Sequence, residues 1–418
     1  MAYDIKKPES RTLGQNRIRW AEQQMPVLRQ IREHFAETQP LKGLRVAGCL
    51  HITSETACLA RTLMAGGAEL ALCAANPLST QDEVAAAMAL DDGVSVYAYR
   101  DEDNKTYYRH IDQVLETQPQ LIMDSGADLI SELHKQHPGR VADVLGATEE
   151  TTTGTARLSS MARKQILKFP VLAINHARSK YLFDNRYGTG QSTLDGLMRA
   201  TNMLLAGKKL VICGYGWCGK GIAMRARGLG AIVIVVEINP IHALEAAMDG
   251  FLVQTIEQAA AQGDIFITAT GALNVIRRSH FEQMKSGAML CNAGHFNSEI
   301  EVQALEQMAE HKQELRPYLW SYQLGAKNLL LLAEGRLVNL ACGEGHPASV
   351  MDMSFANQAL ALAHLALNHR SFVPRVYPIP DEIDEQVAHL KLQAMGIEID
   401  QRTQEQLDYQ GSWELGTR

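Results

Sequence analysis

The chain has 418 residues, 46% hydrophobic and 21% charged, with 32 glycines and 13 prolines; this is an ordinary globular composition, long enough for two or three domains with real cores. A net charge of −7 excludes a basic field for nucleic acid or an anionic membrane. Seven cysteines, scattered and never spaced Cys-x-x-Cys, exclude a disulfide framework and a zinc site and point to a reducing compartment. The first residues, MAYDIKKPESRTLG, are charged and lack the apolar core of a signal peptide, and no run of ~18 apolar residues occurs. A cytoplasmic protein is predicted.

In chain order, Ile18, Met25, Leu28, Ile31 and Phe35 recur at helical spacing and predict an amphipathic helix. Strand-like runs then alternate with helix-like ones: LRVAGCL, a helix over 56–63, ELALCAA, a helix near 82–89, VSVYAY, a helix near 105–115, and QLIMD. This rhythm predicts a parallel sheet covered by helices on both faces, with ligands at the carboxyl ends of its strands. Those ends carry LHITSET, AANPLSTQD and DSGAD, all polar and rich in small residues. A second α/β unit follows: LVIC, a glycine-rich turn, a helix over 223–229 and AIVIVVE, then strands in DIFITAT, AMLCNAG and LLLLAEGRLVNLA. The apolar stripe of MDMSFANQALALAHLALNH predicts a helix that returns to the first unit, and a charged helix and tail follow from about Tyr377.

The turn is GYGWCGKG. It follows a strand, opens a helix, and precedes a second strand ending in Glu237, roughly twenty residues on. Gly214 permits the tight turn, Gly216 lets backbone approach a pyrophosphate, and Gly219 lets helix pack on strand. The helix N-terminus presents free N–H groups to the phosphates. Glu237 is placed to accept from the adenine-side ribose hydroxyls and would repel a 2′-phosphate, so NAD is the predicted cofactor. Trp217 and Cys218 read as packing residues. In SKYLFDNRYGTGQST, Lys180 and Asp184 stand four apart, neighbours on a helix, as a surface ion pair or as a functional one. ATEETTTG reads as an N-capping segment or a hydroxyl-rich ligand loop. His51, His295 and His346 each follow a strand-like run, and a glycine beside the last two suggests backbone brought close to a ligand. No metal-ligand spacing and no Gly-x-Ser-x-Gly turn occur.

Taken together, AGCLHITSETA, STQD, EETTTG, FDNRYGTGQSTLDG, GYGWCGKG, GHFNSEI, AEGRLVNL and GHP, in unbroken order from about Met25 to His369, resemble the adenosylhomocysteinase (S-adenosyl-L-homocysteine hydrolase) family, short-chain branch. The resemblance implies an α/β fold of two doubly wound parallel-sheet domains. A split substrate-binding domain (1–186 and 346–376) would surround a Rossmann NAD-binding domain (187–345), with a C-terminal oligomerisation segment (377–418), in a homotetramer or dimer. It implies reversible hydrolysis of S-adenosyl-L-homocysteine to adenosine and L-homocysteine, through transient oxidation of the ribose 3′-hydroxyl, elimination across C4′–C5′, water addition and re-reduction. By the same resemblance Lys180 and Asp184 handle the 3′-hydroxyl and C4′ protons, the lysine with its pKa lowered toward neutrality. Glu150 grips the ribose hydroxyls, His295 stands beside the redox centre, and His51 is an acid/base near the leaving sulfur. Thr53 and Glu55 match adenine contacts, His346 a gate at the substrate entrance, and Thr151, Thr152, Thr153, Asn185, Asn292 and Asn339 contacts to NAD.

The chain departs from the family pattern at one position of chemical weight. Where the family has Asp-Asp-Gly-Gly/Ala-Asp, this sequence reads Asp124-Ser125-Gly126-Ala127-Asp128, so a catalytic carboxylate at the leaving-group end is replaced by Ser125, whose hydroxyl stays un-ionised near neutral pH. Asn239 likewise stands for an aspartate, and the long branch's Lys- and Tyr-bearing tail is lacking. Two other readings follow: a paralogue using the same 3′-oxidation on another nucleoside or leaving group, and an NAD- and adenosine-binding regulator without hydrolase activity.

Overall fold

The structure, a computed structural model, describes residues 2–414 and Gly416; Leu415, Thr417 and Arg418 of the tail lie outside the described residues. The first run of alternating elements supplies β1 (Arg45–Leu50), β2 (Glu69–Ala74), β3 (Ser95–Tyr97), β4 (Leu121–Asp124), β5 (Gly146–Glu149) and β6 (Val171–Ala173). The second supplies β7 (Lys209–Cys213), β8 (Ile232–Val236), β9 (Leu252–Val253), β10 (Ile265–Thr268), β11 (Ala288–Asn292), β12 (His311–Arg316), β13 (Leu319–Leu324) and β14 (Lys327–Leu332). A last strand, β15 (Val376–Pro378), returns to lie beside β6. Central strands such as LIMD of β4 are buried at every position, which is why they read as unbroken apolar runs rather than alternating ones.

The first sheet has the order β15-β6-β5-β4-β1-β2-β3 with every pair parallel. The second has the order β12-β13-β14-β11-β10-β7-β8-β9. It is parallel from β14 to β9, but β13 runs antiparallel to β12 and β14, so the expected all-parallel second sheet is mixed at one edge. Within each sheet the strand order reverses once, between β1 and β4 and between β7 and β10. Loops diverge there and leave a crevice at the carboxyl ends.

Three sequence expectations need correction. LLLLAEGRLVNLA is not one strand: β14 stops at Leu332, Ala333, Glu334 and Gly335 all take positive φ (49, 54 and 77°), and a short helix, Val338–Ala341, follows. The helix after the glycine turn starts at Trp217, not 223, because the turn's own residues form its first coil. The third concerns the substrate domain, which the sequence reading ends at 376. β15 completes the first sheet, and the helix Asp381–Ala394 buries Ile383 and Val387 in the first domain's core. Asp384 on that helix accepts hydrogen bonds from the backbone N–H groups of Arg178 (2.7 Å) and Ser179 (2.8 Å), and so holds the chain immediately before Lys180. The returning helix, Ala348–Asn368, lies in the same core; its buried Asp352 accepts from the N–H groups of Val27 and Leu28 at the start of the helix Pro26–Thr38. Among the described residues no helix is long and apolar enough to cross a membrane.

Candidate active site

The two crevices open into one cavity of about 870 Å³, lined by His51 and Ser125 from the first sheet and by Gly214 and Ala269–Gly271 from the second. Residues of the glycine turn fit a dinucleotide. Gly214 has φ +100°, and a Cβ there would meet the Ala269 carbonyl oxygen at 2.8 Å. A Cβ on Gly216 would meet nothing within 4 Å; it would fill the space where a pyrophosphate can approach the backbone at the start of the helix Trp217–Gly228. Gly219 faces away from the cavity and a Cβ there would overlap the Gly214 carbonyl, the close packing expected of the third glycine. Glu237, at the end of β8, accepts from the N–H groups of Tyr215 (2.6 Å), Ile238 (2.7 Å) and Asn239 (2.9 Å) while lining the cavity. Its carboxylate is thus pinned where a ribose diol can reach it. Asn239 caps the next helix through its Oδ1.

Asn339 donates to Ser192 Oγ (3.2 Å), but its Oδ1 is buried without a partner at the cavity wall, an acceptor free for a ligand amide. Thr151 does both things its segment suggested: its hydroxyl caps the helix Thr152–Arg163, and Thr152 and Thr153 line the cavity. Asn185 also lines it. Asn292 does not. It is fully buried, its amide donates to the carbonyls of Gly294, Phe296 and Gly335, and its Oδ1 accepts from Thr268 and the Gly294 N–H. Every polar atom of Asn292 is spent on holding the loop after β11, which leaves none for a cofactor.

The charged centre sits on a π-helical turn, Tyr181–Gly188, a backbone feature frequent at functional sites. Lys180 is 5% exposed, with Nζ 3.1 Å from Asp184 Oδ1, 3.1 Å from Asn185 Oδ1 and 3.7 Å from Glu150 Oε1. Asp184 also accepts from Ser354 (2.8 Å) and stands 3.2 Å from His346 Nδ1, whose Nε2 is 3.2 Å from Thr189 Oγ1. The pair is therefore buried, not a surface pair. Burial alone lowers the Lys180 pKa, but Asp184 and then Glu150 outweigh it and the value is raised. The expected lowering toward neutrality is not produced by this chain's own residues. Burial alone would raise Asp184, yet Lys180 and His346 hold it below the usual carboxylate range. Among the described residues Glu150 has no hydrogen-bond partner for either oxygen, only the Lys180 ammonium at 3.7 Å, and burial pushes it up to about 8. His346, expected as an entrance gate, is tied between Asp184 and Thr189.

At the other end, His51 follows β1 and lines the cavity; burial, then His295 and His346, bring it down to about 3. His295 is brought down to about 4, chiefly by burial, and its ring lies against Gly126. Gly126 has φ +100° and a Cβ there would overlap that ring, so two constraints select glycine beside Ser125. Ser125 is buried, its N–H bonded to Asp124 Oδ1 (2.9 Å). Thr53 and Glu55 open the helix Ser54–Ala65 at the wall, Glu55 accepting from Ser54 Oγ (3.1 Å) and raised by burial. Trp217 and Cys218 line the cavity too, as do Met351 and Phe355, which their helical stripe marks only as core.

Comparison with known proteins decides the family. The S-adenosyl-L-homocysteine hydrolase family pattern matches residues 2–138, and its NAD binding domain matches residues 185–345. The chain belongs to this family. It is 58% identical to the adenosylhomocysteinase of Aquifex aeolicus over 418 residues, all of both chains. It is 53% identical to that of Gloeobacter violaceus, over 99% of this chain and 97% of the other. It is also 55% identical to the S-inosyl-L-homocysteine hydrolase of Methanocaldococcus jannaschii, over 97% of each. As in this family, the cofactor is NAD, and the Gly214–Gly216 cradle, Glu237 and the free Asn339 acceptor are the residues that fit it. Ser125, Lys180, Asp184, Glu150 and His295 all line this one cavity.

Proposed function

We propose that this chain hydrolyses S-adenosyl-L-homocysteine reversibly to adenosine and L-homocysteine by transient oxidation at C3′ of the ribose. The observation that carries the reading is the buried Lys180–Asp184–Glu150 cluster opening onto the same cavity as the Gly214–Gly216 turn. Bound NAD supplies a reversible hydride acceptor for C3′. A ketone at C3′ makes the C4′ proton acidic, so that the thioether sulfur is expelled from C5′ by elimination rather than by direct attack of water. Lys180 and Asp184 hold and move the protons at O3′ and C4′. Glu150, free of internal partners, grips the ribose hydroxyls, while His295 orders the redox end and Thr53 and Glu55 hold the purine. Thr151, Thr152, Thr153, Asn185 and Asn339 hold the cofactor's nicotinamide and ribose. His51 serves the leaving-group end, where Ser125 cannot act as a carboxylate. Residues 1–186 and the chain from 346 through the helix Asp381–Ala394 form the substrate-binding part and 187–345 the cofactor part, in a cytoplasmic homo-oligomer.

A second reading, the same reaction on S-inosyl-L-homocysteine, is favoured by the similarity to the named Methanocaldococcus protein. Thiol release measured with a chromogenic disulfide, on each thioether in turn, tests both. Faster release from the adenosyl compound supports the first reading. Preference for the inosyl compound supports the second, and silence with both overturns the hydrolase reading.

A further inference from the structure

Ser79 lies beyond β2, 2% exposed, and has no role in any of the chemistry above. Its Oγ is 2.9 Å from His51 Nδ1 and 2.9 Å from the Asn76 carbonyl oxygen. A carbonyl only accepts, so the single hydroxyl proton goes to Asn76 and Oγ must accept from His51. That assigns the imidazole proton to Nδ1. The ring is further fixed by its own backbone, whose carbonyl accepts from Thr56 Oγ1 at 2.5 Å. With Nδ1 protonated and the ring neutral, Nε2 carries a lone pair, and the ring lines the cavity. The titratable groups that bear on it are His295, with its centroid 6.1 Å away, and His346. Of the carboxylates lining the cavity, Asp184 is bonded to Lys180, Glu150 lies beside the same ammonium and Glu237 is bonded to the glycine turn, while Glu55 lies within the helix that follows β1. Position 125, just beyond the end of β4 on the cavity wall, is a serine.

We propose that Ser79 is a positioning residue which fixes His51 in the Nε2-basic tautomer, and that with serine at 125 this Ser79–His51 pair alone moves the proton at C5′. The inference rests on the hydrolase reading. As water adds to the unsaturated ketone, its oxygen bonds to C5′, the C4′=C5′ electron pair moves toward the ketone, and the water proton passes to His51 Nε2. The resulting enolate is reprotonated at C4′, and the imidazolium, the thiolate having left in the preceding elimination, releases its proton to solvent and returns to the free base.

The decisive test is Ser79→Ala, followed in two partial reactions and in two backgrounds. Steady-state thiol release, which needs water addition to complete each turnover, should fall by on the order of 10²-fold, the usual weight of a lost general base. The nicotinamide absorbance that rises on mixing with adenosine, which reports 3′-oxidation, should stay within about twofold of the parent. With Ser125→Asp present, a second base is restored and the loss caused by Ser79→Ala should shrink to less than about tenfold. Nitrogen-15 spectra of the imidazoles, with His51 assigned through His51→Gln, should show Nδ1 protonated. Equal loss of oxidation and thiol release, an unchanged thiol rate, an equal loss in the Ser125→Asp background, or a protonated Nε2 would each overturn the proposal. If the parent itself releases no thiol while oxidation proceeds, it is the hydrolase reading that fails.

Discussion

Glu150 offers the sharpest prediction because its two duties pull in opposite directions. It is 7% exposed, neither oxygen has a hydrogen-bond partner, and the nearest cation, Lys180, is 3.7 Å away. Burial pushes its carboxyl from 4.5 to about 8. The folded state therefore holds the proton more tightly than the unfolded chain. The resulting stability is fully present below pH 4.5 and is lost as pH rises through about 8. At about 1.4 kcal/mol per pH unit, that gap sets an upper bound of about 5 kcal/mol. Water entry and relaxation around the ion reduce it, and we expect about 2 kcal/mol. Glu150→Gln keeps the shape and has no proton to lose. Urea unfolding of the purified protein, stepped from pH 5 to 8.5 at equal NAD content, should show the variant level with the parent at pH 5 and about 2 kcal/mol ahead at pH 8.5. Thiol release should meanwhile fall by on the order of 10²-fold as the hydroxyl grip is lost. A stability gap that is constant across this range, or that narrows as pH rises, refutes the reasoning.

Gly216→Val puts a side chain into open cavity and nothing else, so the isolated protein should fold as the parent but carry little NAD, measured as nucleotide released by acid. Gly126→Ala combines a φ of +100° with overlap on the His295 ring and should cost about 2 kcal/mol or more in thermal unfolding; an unchanged melting temperature would count against that packing. Asp184→Asn leaves the buried Lys180 ammonium beside only Glu150 and an amide, and should lower unfolding stability by about 3 kcal/mol in addition to abolishing thiol release.

What the sequence made legible is what is local in the chain. The glycine turn, its strand, its helix and Glu237 lie within one βαβ unit, and their roles follow from that order. Lys180 and Asp184 were recognisable as neighbours, but burial depends on the returning helix with Ser354 and on Glu150 arriving from β5. The same long-range carboxylates explain why the lysine is raised and not lowered. Asn292 enters as a cofactor contact by the family resemblance alone; the fold shows its amide spent on Gly294, Phe296 and Gly335. Trp217 and Cys218 read as packing residues in the sequence because nothing in their spacing tells which side of a helix meets the cavity, which both line. β15 is three residues long and pairs with β6 at a sheet edge, too short for any periodicity to announce. Ser79 was hidden for a different reason: its bond to His51 joins the loops after two adjacent strands.

The placement of the charged cluster bears on how the site can open and still work. Lys180 and Asp184 lie just before the chain leaves the first domain for the second, and His346 and Ser354 lie just after it returns. The Asp184 bonds to His346 and Ser354 thus join the two crossings to each other. His295 against Gly126, and Tyr318 against Arg100 (2.8 Å) and Asp101 (3.2 Å), are further contacts between the domains, made by residues that lie outside the crossings. If the domains rotate about the crossings, the Lys180–Asp184–His346 chain, which ties those crossings together, stays assembled. The acid-base groups then keep their geometry through substrate entry and release.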